Sequence, residues 1–242
     1  MTNHDPADQA KIDAMAADTS FQTQAREVFQ RACDYRYSYN FKWLGRPIIQ
    51  FPEDILAIQE LLWQVRPELV IETGIAHGGS LILSASILEL IGGSGRVLGI
   101  DIDIREHNRQ AILAHPMAKR IDMIEGSSVD AAVAAKVQAA AAGKSPVMVF
   151  LDSNHTHEHV LRELELYASL VSRGSWLVVF DTVVEFMRED AFPDRPWGRG
   201  DNPYTAVQEF LKSNDRFVLD SNFENKLLMS VAEGGWLRCV KD

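Results

Sequence analysis

Asp152, His155 and Asp181 are the residues of this chain best placed to do chemistry. Asp152 closes the apolar run 147–151 and Asp181 closes the run 176–180. Runs of that length and composition read as buried strands, so both carboxylates should face one crevice beyond adjacent strand ends. No Lys or Arg stands in either motif, LDSNHTHEH or VVFDT. Paired carboxylates without a neutralising base suit a hard divalent cation held by oxygen ligands, with Mg2+ the natural choice. The cation would orient a substrate's vicinal hydroxyls and lower the pKa of one of them, and His155 can take that proton as general base. The plainer reading makes Asp181 a helix cap or a loop acid. Three of the seven histidines fall within 155–159 and invite a zinc reading, but the HExxH order is absent, and His157 and His159 read as solvated or satisfied helix residues.

A second group lies upstream in ETGIAHGGS. Glu72 ends a strand, Gly74 and Gly78 allow a tight turn, and Ser80 opens a helix with unpaired N–H groups. A dinucleotide fingerprint needs glycine where Ala76 stands and an acid ~20 residues on, and both requirements fail. Asp101 instead ends the next strand. A carboxylate beside the first turn can bind an ammonium group, and one at the second strand end can accept both hydroxyls of a ribose. That pair suits S-adenosylmethionine, which carries an amino-acid part and a ribose but no phosphate. Ser127 and Ser128 end the third strand, either at an adenine edge or as helix caps, a task open also to Asp130.

Positioning these groups requires a regular frame. From residue 51 the pattern alternates short β-branched runs with longer amphipathic ones. Strands are expected at 69–73, 96–101, 121–125, 147–151 and 176–181, each followed by a helix or loop, then a helix near 206–212 and closing strands at 216–220 and 226–231. Five βα units give parallel strands with right-handed crossovers, hence an open doubly wound sheet of seven strands. The two closing strands, joined by too few residues for a crossover, should pair antiparallel. We expect 1–50 to be an N-terminal extension, its first twenty or so residues a frayed helix or a disordered tail, and 51–242 to be the main domain. The aromatic stretch 21–50 reads as a packing segment, an oligomer contact or a lid.

The composition fits. Hydrophobic residues make up 46% and charged residues 24%, as expected for a chain with a sizeable core. A net charge of −10 argues against nucleic acid or an anionic membrane as partner. Cys33 and Cys239 form no CxxC, no apolar run approaches the ~20 residues of a membrane span, and the N-terminus lacks the pattern of a secretory signal. A cytoplasmic protein is expected.

The run YSYNFKWLGRPIIQ, ETGIAHGGS, GIDIDIR, IEGSS, LDSNHTHEHVLRELELYASLV, VVFDT, RPWGRGDNP and ENKLL resembles the cephalosporin hydroxylase/rhamnosyl O-methyltransferase family. The resemblance implies the class I methyltransferase fold and S-adenosylmethionine as cofactor. By position it implies that Glu72, Gly74, Gly78 and Ser80 hold the methionine part, Asp101 the ribose, and Ser127 and Ser128 the adenine surroundings, with Asp152 beside the cofactor and a metal ligand together with Asp181. A more distant likeness runs to Mg2+-dependent catechol-type O-methyltransferases, and His155 falls where those enzymes place a lysine base. The chain departs from antibiotic-pathway relatives at Phe180, where an acid can precede the Asp, which leaves Thr182 as a third oxygen. The implied activity is O-methylation of a sugar, rhamnose-like and polysaccharide-related, or of a small natural product. Arg195, Trp197 and Arg199 in the loop 188–203 suit a sugar carrying acid or phosphate groups, and serve equally well as structural anchors. The rival readings are an iron-dependent hydroxylase, as the family name suggests, and a non-catalytic scaffold with a degenerate cofactor site. The aromatic N-terminal segment points to a homo-oligomer.

Overall fold

The computed structural model describes residues 5–242. Seven strands form one sheet in the order β5-β4-β3-β6-β7-β9-β8, where β3 is Leu69–Thr73, β4 Arg96–Asp101, β5 Ile121–Glu125, β6 Val147–Leu151, β7 Trp176–Val179, β8 Phe217–Leu219 and β9 Trp236–Cys239. The first five are mutually parallel, and β9 runs antiparallel to both β7 and β8. Strands β3 and β6 are buried along their whole length, as a parallel strand covered on both faces must be.

The side chains of β3 alternate between two cores. Val70 joins one with Leu61 and Leu62 of α3 (Pro52–Val65) and Leu81 and Ile82 of α4 (Gly79–Ile91). Leu69 and Ile71 join the other with Val137 of α6 (Ala131–Ala141), Leu164 of α7 (His157–Tyr167) and Val207 of α8 (Pro203–Ser213). Each fully buried Leu, Ile or Val contributes roughly 1.5–3 kcal/mol, so covering both faces is what holds the sheet. The switch point falls at β3 and β6, whose neighbouring helices lie on opposite faces, and a crevice opens beyond their carboxyl ends.

The parallel frame follows the sequence expectation, and the C-terminal end departs from it. Residues 226–231 do not form a strand. The N–H groups of Leu228 and Met229 donate to Glu53 Oε2 (2.7 and 3.0 Å), and that of Val231 donates to Asp54 Oδ2 (2.9 Å), so this segment is tied to the first turn of α3. The closing strand is β9 instead, and it inserts between β7 and β8 after the short helix α9 (Ser221–Glu224). Gly235 makes the insertion possible, because a Cβ there would lie 2.1 Å from the Val179 carbonyl oxygen.

Ahead of the sheet come α1 (Pro6–Ala17), which buries no residue, and α2 (Thr19–Asp34), which buries Ala25 and Phe29. A two-stranded antiparallel ribbon follows, β1 (Phe41–Trp43) and β2 (Arg46–Ile48). Phe29 stacks on Phe51 (4.3 Å between centroids), Tyr37 packs edge-on to Phe41, and Ile48 enters the core beside α4. Both cysteines are unpaired. No helix among the described residues is long and apolar enough to cross a membrane.

Candidate functional site

The loop between β3 and α4 is shaped by close approach. Gly74 has φ +89°, and a Cβ on it would lie 1.9 Å from the Asp152 carbonyl oxygen, so the ends of β3 and β6 meet only through glycine. Ala76 occupies the left-handed region (φ +46°) without being glycine, and three contacts hold it there. Asp101 Oδ2 accepts from the N–H groups of Ile75 and Ala76 (2.8 and 3.2 Å), and Asn108 of α5 (Glu106–Leu113) donates to the Ala76 carbonyl (2.9 Å). Arg46 from β2 donates to the His77 carbonyl (3.0 Å) and the Asn108 side chain (3.0 Å).

This loop edges a cleft of about 860 Å³ along the carboxyl ends of the strands. Its volume lies toward the upper end of the usual range for small-molecule sites. Gly74, Ser80, Asp101, Ser127, Ser128, Asp152, His155 and Asp181, all singled out from sequence, line it. Three other candidates do not. Glu72 sits beneath the cleft beside a small cavity shared with Gln50 and Asp152. Its Oε1 accepts the Ser80 hydroxyl, its buried Oε2 has no partner, and burial pushes its carboxyl up to about 7 against the pull of Ser80. Gly78 faces the Ile112 side chain, where a Cβ would clash at 2.4 Å, so its role is helix packing. Thr182 is fully buried and its hydroxyl donates to the Val231 carbonyl (3.4 Å), which removes it as a third oxygen beside Asp181.

Asp152, His155 and Asp181 each present a ligand atom within 4.8 Å of the others. Asp181, in left-handed backbone (φ +55°), turns its carboxylate toward His155 Nε2, 3.2 Å away. Gln50 donates to Asp152 Oδ2 (3.2 Å). Burial, and next to it the negative charge of Asp181, holds the Asp152 carboxyl well above the usual carboxylate range. Two carboxylates and an imidazole without a neighbouring Lys or Arg are the donor set of a divalent cation, so the residues fit one. Phe180, at the position where an acid can stand in relatives, packs edge-on between Phe150 and Trp236 in the core.

The other two histidines of the cluster have other partners, although His159 also lines the cleft. His157 Nδ1 lies 2.8 Å from the Thr205 hydroxyl and its Nε2 3.2 Å from Glu209. His159 Nε2 lies 3.0 Å from the Ser128 hydroxyl and 3.2 Å from that of Ser153, linking the turns after β5 and β6. The second histidine that a two-His iron centre needs is therefore not supplied from this cluster. Asp130, not a serine, caps α6 through Ala132 and Val133 N–H, which leaves Ser127 free in the cleft wall.

The cleft also uses residues that sequence reasoning passed over. Cys33 and Arg36 reach it from α2 and the turn after it, and Gln50 from the end of the ribbon. Ile102, 74% exposed beside Asp101, forms an apolar lip. An isoleucine exposed directly after a strand-end acid in GIDIDIR was the available signal. In the loop 188–203, Arg195 and Trp197 face the cleft. Arg199 is not in its wall, and the next residues anchor the loop, with Asn202 capping α8 and the Gly200 N–H donating to Glu185 (2.9 Å).

Comparison with known proteins identifies the family. The family model for rhamnosyl O-methyltransferase/CmcI matches residues 35–240. The rhamnosyl O-methyltransferase of Mycobacterium tuberculosis is 34% identical over 191 residues, 76% of this chain and 72% of that protein. That of Mycobacterium leprae is 31% identical over 173 residues, 69% of each chain. Among solved structures, CmcI with Mg and SAM superposes with a TM-score of 0.60 at 18% identity, covering 84% of this chain and 78% of that one. The O-methyltransferase TomG of Streptomyces achromogenes, in complex with SAM, gives a TM-score of 0.57 at 15% identity, covering 93% and 91%. These structural likenesses carry the fold, a seven-stranded class I methyltransferase sheet. By family match and by identity to its relatives, the chain belongs to the rhamnosyl O-methyltransferase/CmcI family.

Proposed function

We propose that the protein transfers a methyl group from S-adenosylmethionine to a hydroxyl of a sugar or small natural product, with a divalent cation, Mg2+ by preference, at Asp152 and Asp181. The observation that carries this reading is the convergence of those two carboxylates and His155 in a cleft whose other rim is the glycine loop and Asp101. Membership of a family whose relatives are rhamnosyl O-methyltransferases supports a rhamnose-like acceptor. When bound, S-adenosylmethionine supplies the methyl group and the cation supplies positive charge beside the acceptor oxygen.

The chain's own residues do the rest. Asp101, at the end of β4, would hold the ribose of the cofactor, Ser127 and the exposed Ile102 its base, and Gly74 and Ser80 its amino-acid end. His155 takes the acceptor proton on Nδ1, while its Nε2–H donates to Asp181, 3.2 Å away, which orients the ring and stabilises the imidazolium that forms. Most of the rate comes from holding the acceptor oxygen in line with the methyl carbon. In a second reading, favoured by the 4.8 Å cluster, His155 is the third metal ligand and the proton leaves to water.

Titration calorimetry with S-adenosylhomocysteine, with EDTA and then with Mg2+, tests the main reading together with methyl transfer under the same conditions. Micromolar cofactor binding, activity lost in EDTA and activity restored by Mg2+ are expected. Failure to bind the cofactor would favour a scaffold, and activity indifferent to chelation would remove the metal. Electron paramagnetic resonance of bound Mn2+ separates the two roles of His155, because His155→Ala weakens Mn2+ binding only if the imidazole is a ligand.

A further inference from the structure

Among the described residues, Arg36 and Arg195 are the only arginines in the cleft wall, and no lysine joins them. They come from separate segments, Arg36 from the turn after α2 and Arg195 from the loop 188–203. Each guanidinium lies over an aromatic ring that also lines the cleft, Arg36 at 4.2 Å from the centroid of Tyr39 and Arg195 at 5.8 Å from that of Trp197. Neither is matched to a carboxylate among the described residues, whereas nearby Arg188 pairs with Asp34 (2.9 Å) and Arg26 pairs with Glu233.

Their placement relative to the reactive cluster is orderly. The Trp197 ring contacts both His155, 5.2 Å away and edge-on, and Arg195. Cys33, whose thiol is pushed up by burial and then by the negative charge of Asp181, also lines the cleft, and Arg36 follows it three residues on, just past the end of α2. Arg36 is also held in left-handed backbone, φ +53°, a conformation that a residue with a side chain keeps only where its surroundings enforce it. In a protein of net charge −10 with three acids in the same cleft, two unmatched guanidinium groups in its wall stand out as local points of positive charge. Guanidinium forks suit carboxylate and phosphate oxygens, and the apolar face of Trp197 suits a pyranose ring.

We propose that Arg36 and Arg195 determine specificity by selecting an acceptor saccharide that bears an oxyanion, a carboxylate or a phosphate, on the side of the sugar away from the hydroxyl presented to His155. The proposal rests on the O-methyl-transfer reading above and names the class of acceptor for that site.

The test uses the full chain loaded with S-adenosylhomocysteine and Mg2+, titrated by ligand-observed NMR with three matched probes: methyl α-D-glucoside, methyl α-D-glucuronide and α-D-glucose 1-phosphate. One of the two anionic probes should bind at least ~10-fold more tightly than the glucoside, the scale of a charge-assisted hydrogen bond, and which of the two does so identifies carboxylate or phosphate. In the double variant Arg36→Gln, Arg195→Gln that preference should vanish, while affinity for S-adenosylhomocysteine, which reports intact folding, stays unchanged. Equal binding of all three probes, binding of none, or a preference that survives the double substitution would overturn the proposal. Absence of S-adenosylhomocysteine binding to the unaltered protein would instead sink the methyl-transfer reading, and the proposal with it.

Discussion

At the end of β4, both oxygens of Asp101 are engaged by main-chain N–H groups, Ile75 and Ala76 on one and Asp103 on the other. At the end of β6, the Asp152 carboxylate receives one side-chain donor, the Gln50 amide, and its nearest charged neighbour of consequence is another carboxylate, Asp181. One half of the cleft is complete within the protein. The other is left short of positive charge. The difference follows from chain geometry, because a turn of consecutive residues can aim several N–H groups at one anion, whereas neutralising two strand-end carboxylates needs a cation from elsewhere in the chain or from solution. The glycine loop is thus a preformed cradle, and the Asp152, His155 and Asp181 cluster is a site that gains most when loaded.

Three substitutions probe that contrast. His155→Ala should lower turnover by ~10²-fold or more, the usual scale for a general base, with affinity for S-adenosylhomocysteine unchanged by calorimetry. Full activity over a wide pH range in this variant would mean that the charge-poor half does not hold the base. Asp101→Ala strikes the self-satisfied half. It releases the clamp on Ala76, and loss of one or two hydrogen bonds to a charged group should weaken cofactor binding about 10- to 100-fold, while turnover at saturating cofactor changes little. If affinity were untouched, the backbone engagement of Asp101 would be structural only.

The smallest effect on turnover is expected at Asp54, which is fully buried, unlike the half-buried Asp152, and hydrogen-bonded by Ser230 (2.6 Å) and Val231 (2.9 Å). Burial still pushes its carboxyl up to about 7 against the pull of those bonds. Its folded-state pKa therefore lies above the ordinary value, so the stability it contributes is fully present below about pH 4 and is lost as pH rises through about 7. Chemical denaturation should show Asp54→Asn gaining on the unaltered protein across that window, by on the order of a few kcal/mol. Parallel pH profiles for the two proteins would show that hydrogen bonding alone offsets burial.

Much of this was legible in the chain itself. The strands 69–73, 96–101, 121–125 and 147–151 stand where their apolar runs place them, because parallel strands covered on both faces require near-continuous hydrophobicity. Their carboxyl-terminal acids share one edge for the same topological reason. The misplaced strand at 226–231 shows where such reading stops. The segment is apolar enough for a strand, but its N–H groups are taken by Glu53 and Asp54 of α3, far away in sequence. The two glycines before Trp236 were the better signal for where the last strand begins. Thr182 was misread for a related reason. The left-handed turn at Asp181 sends the next side chain inward to Val231, and His155 stands with the two carboxylates instead.

By itself, then, the sequence determined the order of the βα units, the glycine turn and the acids at the strand ends, since each depends on local pattern and on the fixed handedness of the crossovers. The tertiary structure decided which candidates meet. It set Glu72 beneath the cleft, turned Gly78 toward Ile112, joined His155 to Asp181, and brought Gln50, Arg36 and Arg195 to the same cavity. Those meetings depend on packing between segments distant in the chain, and no local spacing encodes them.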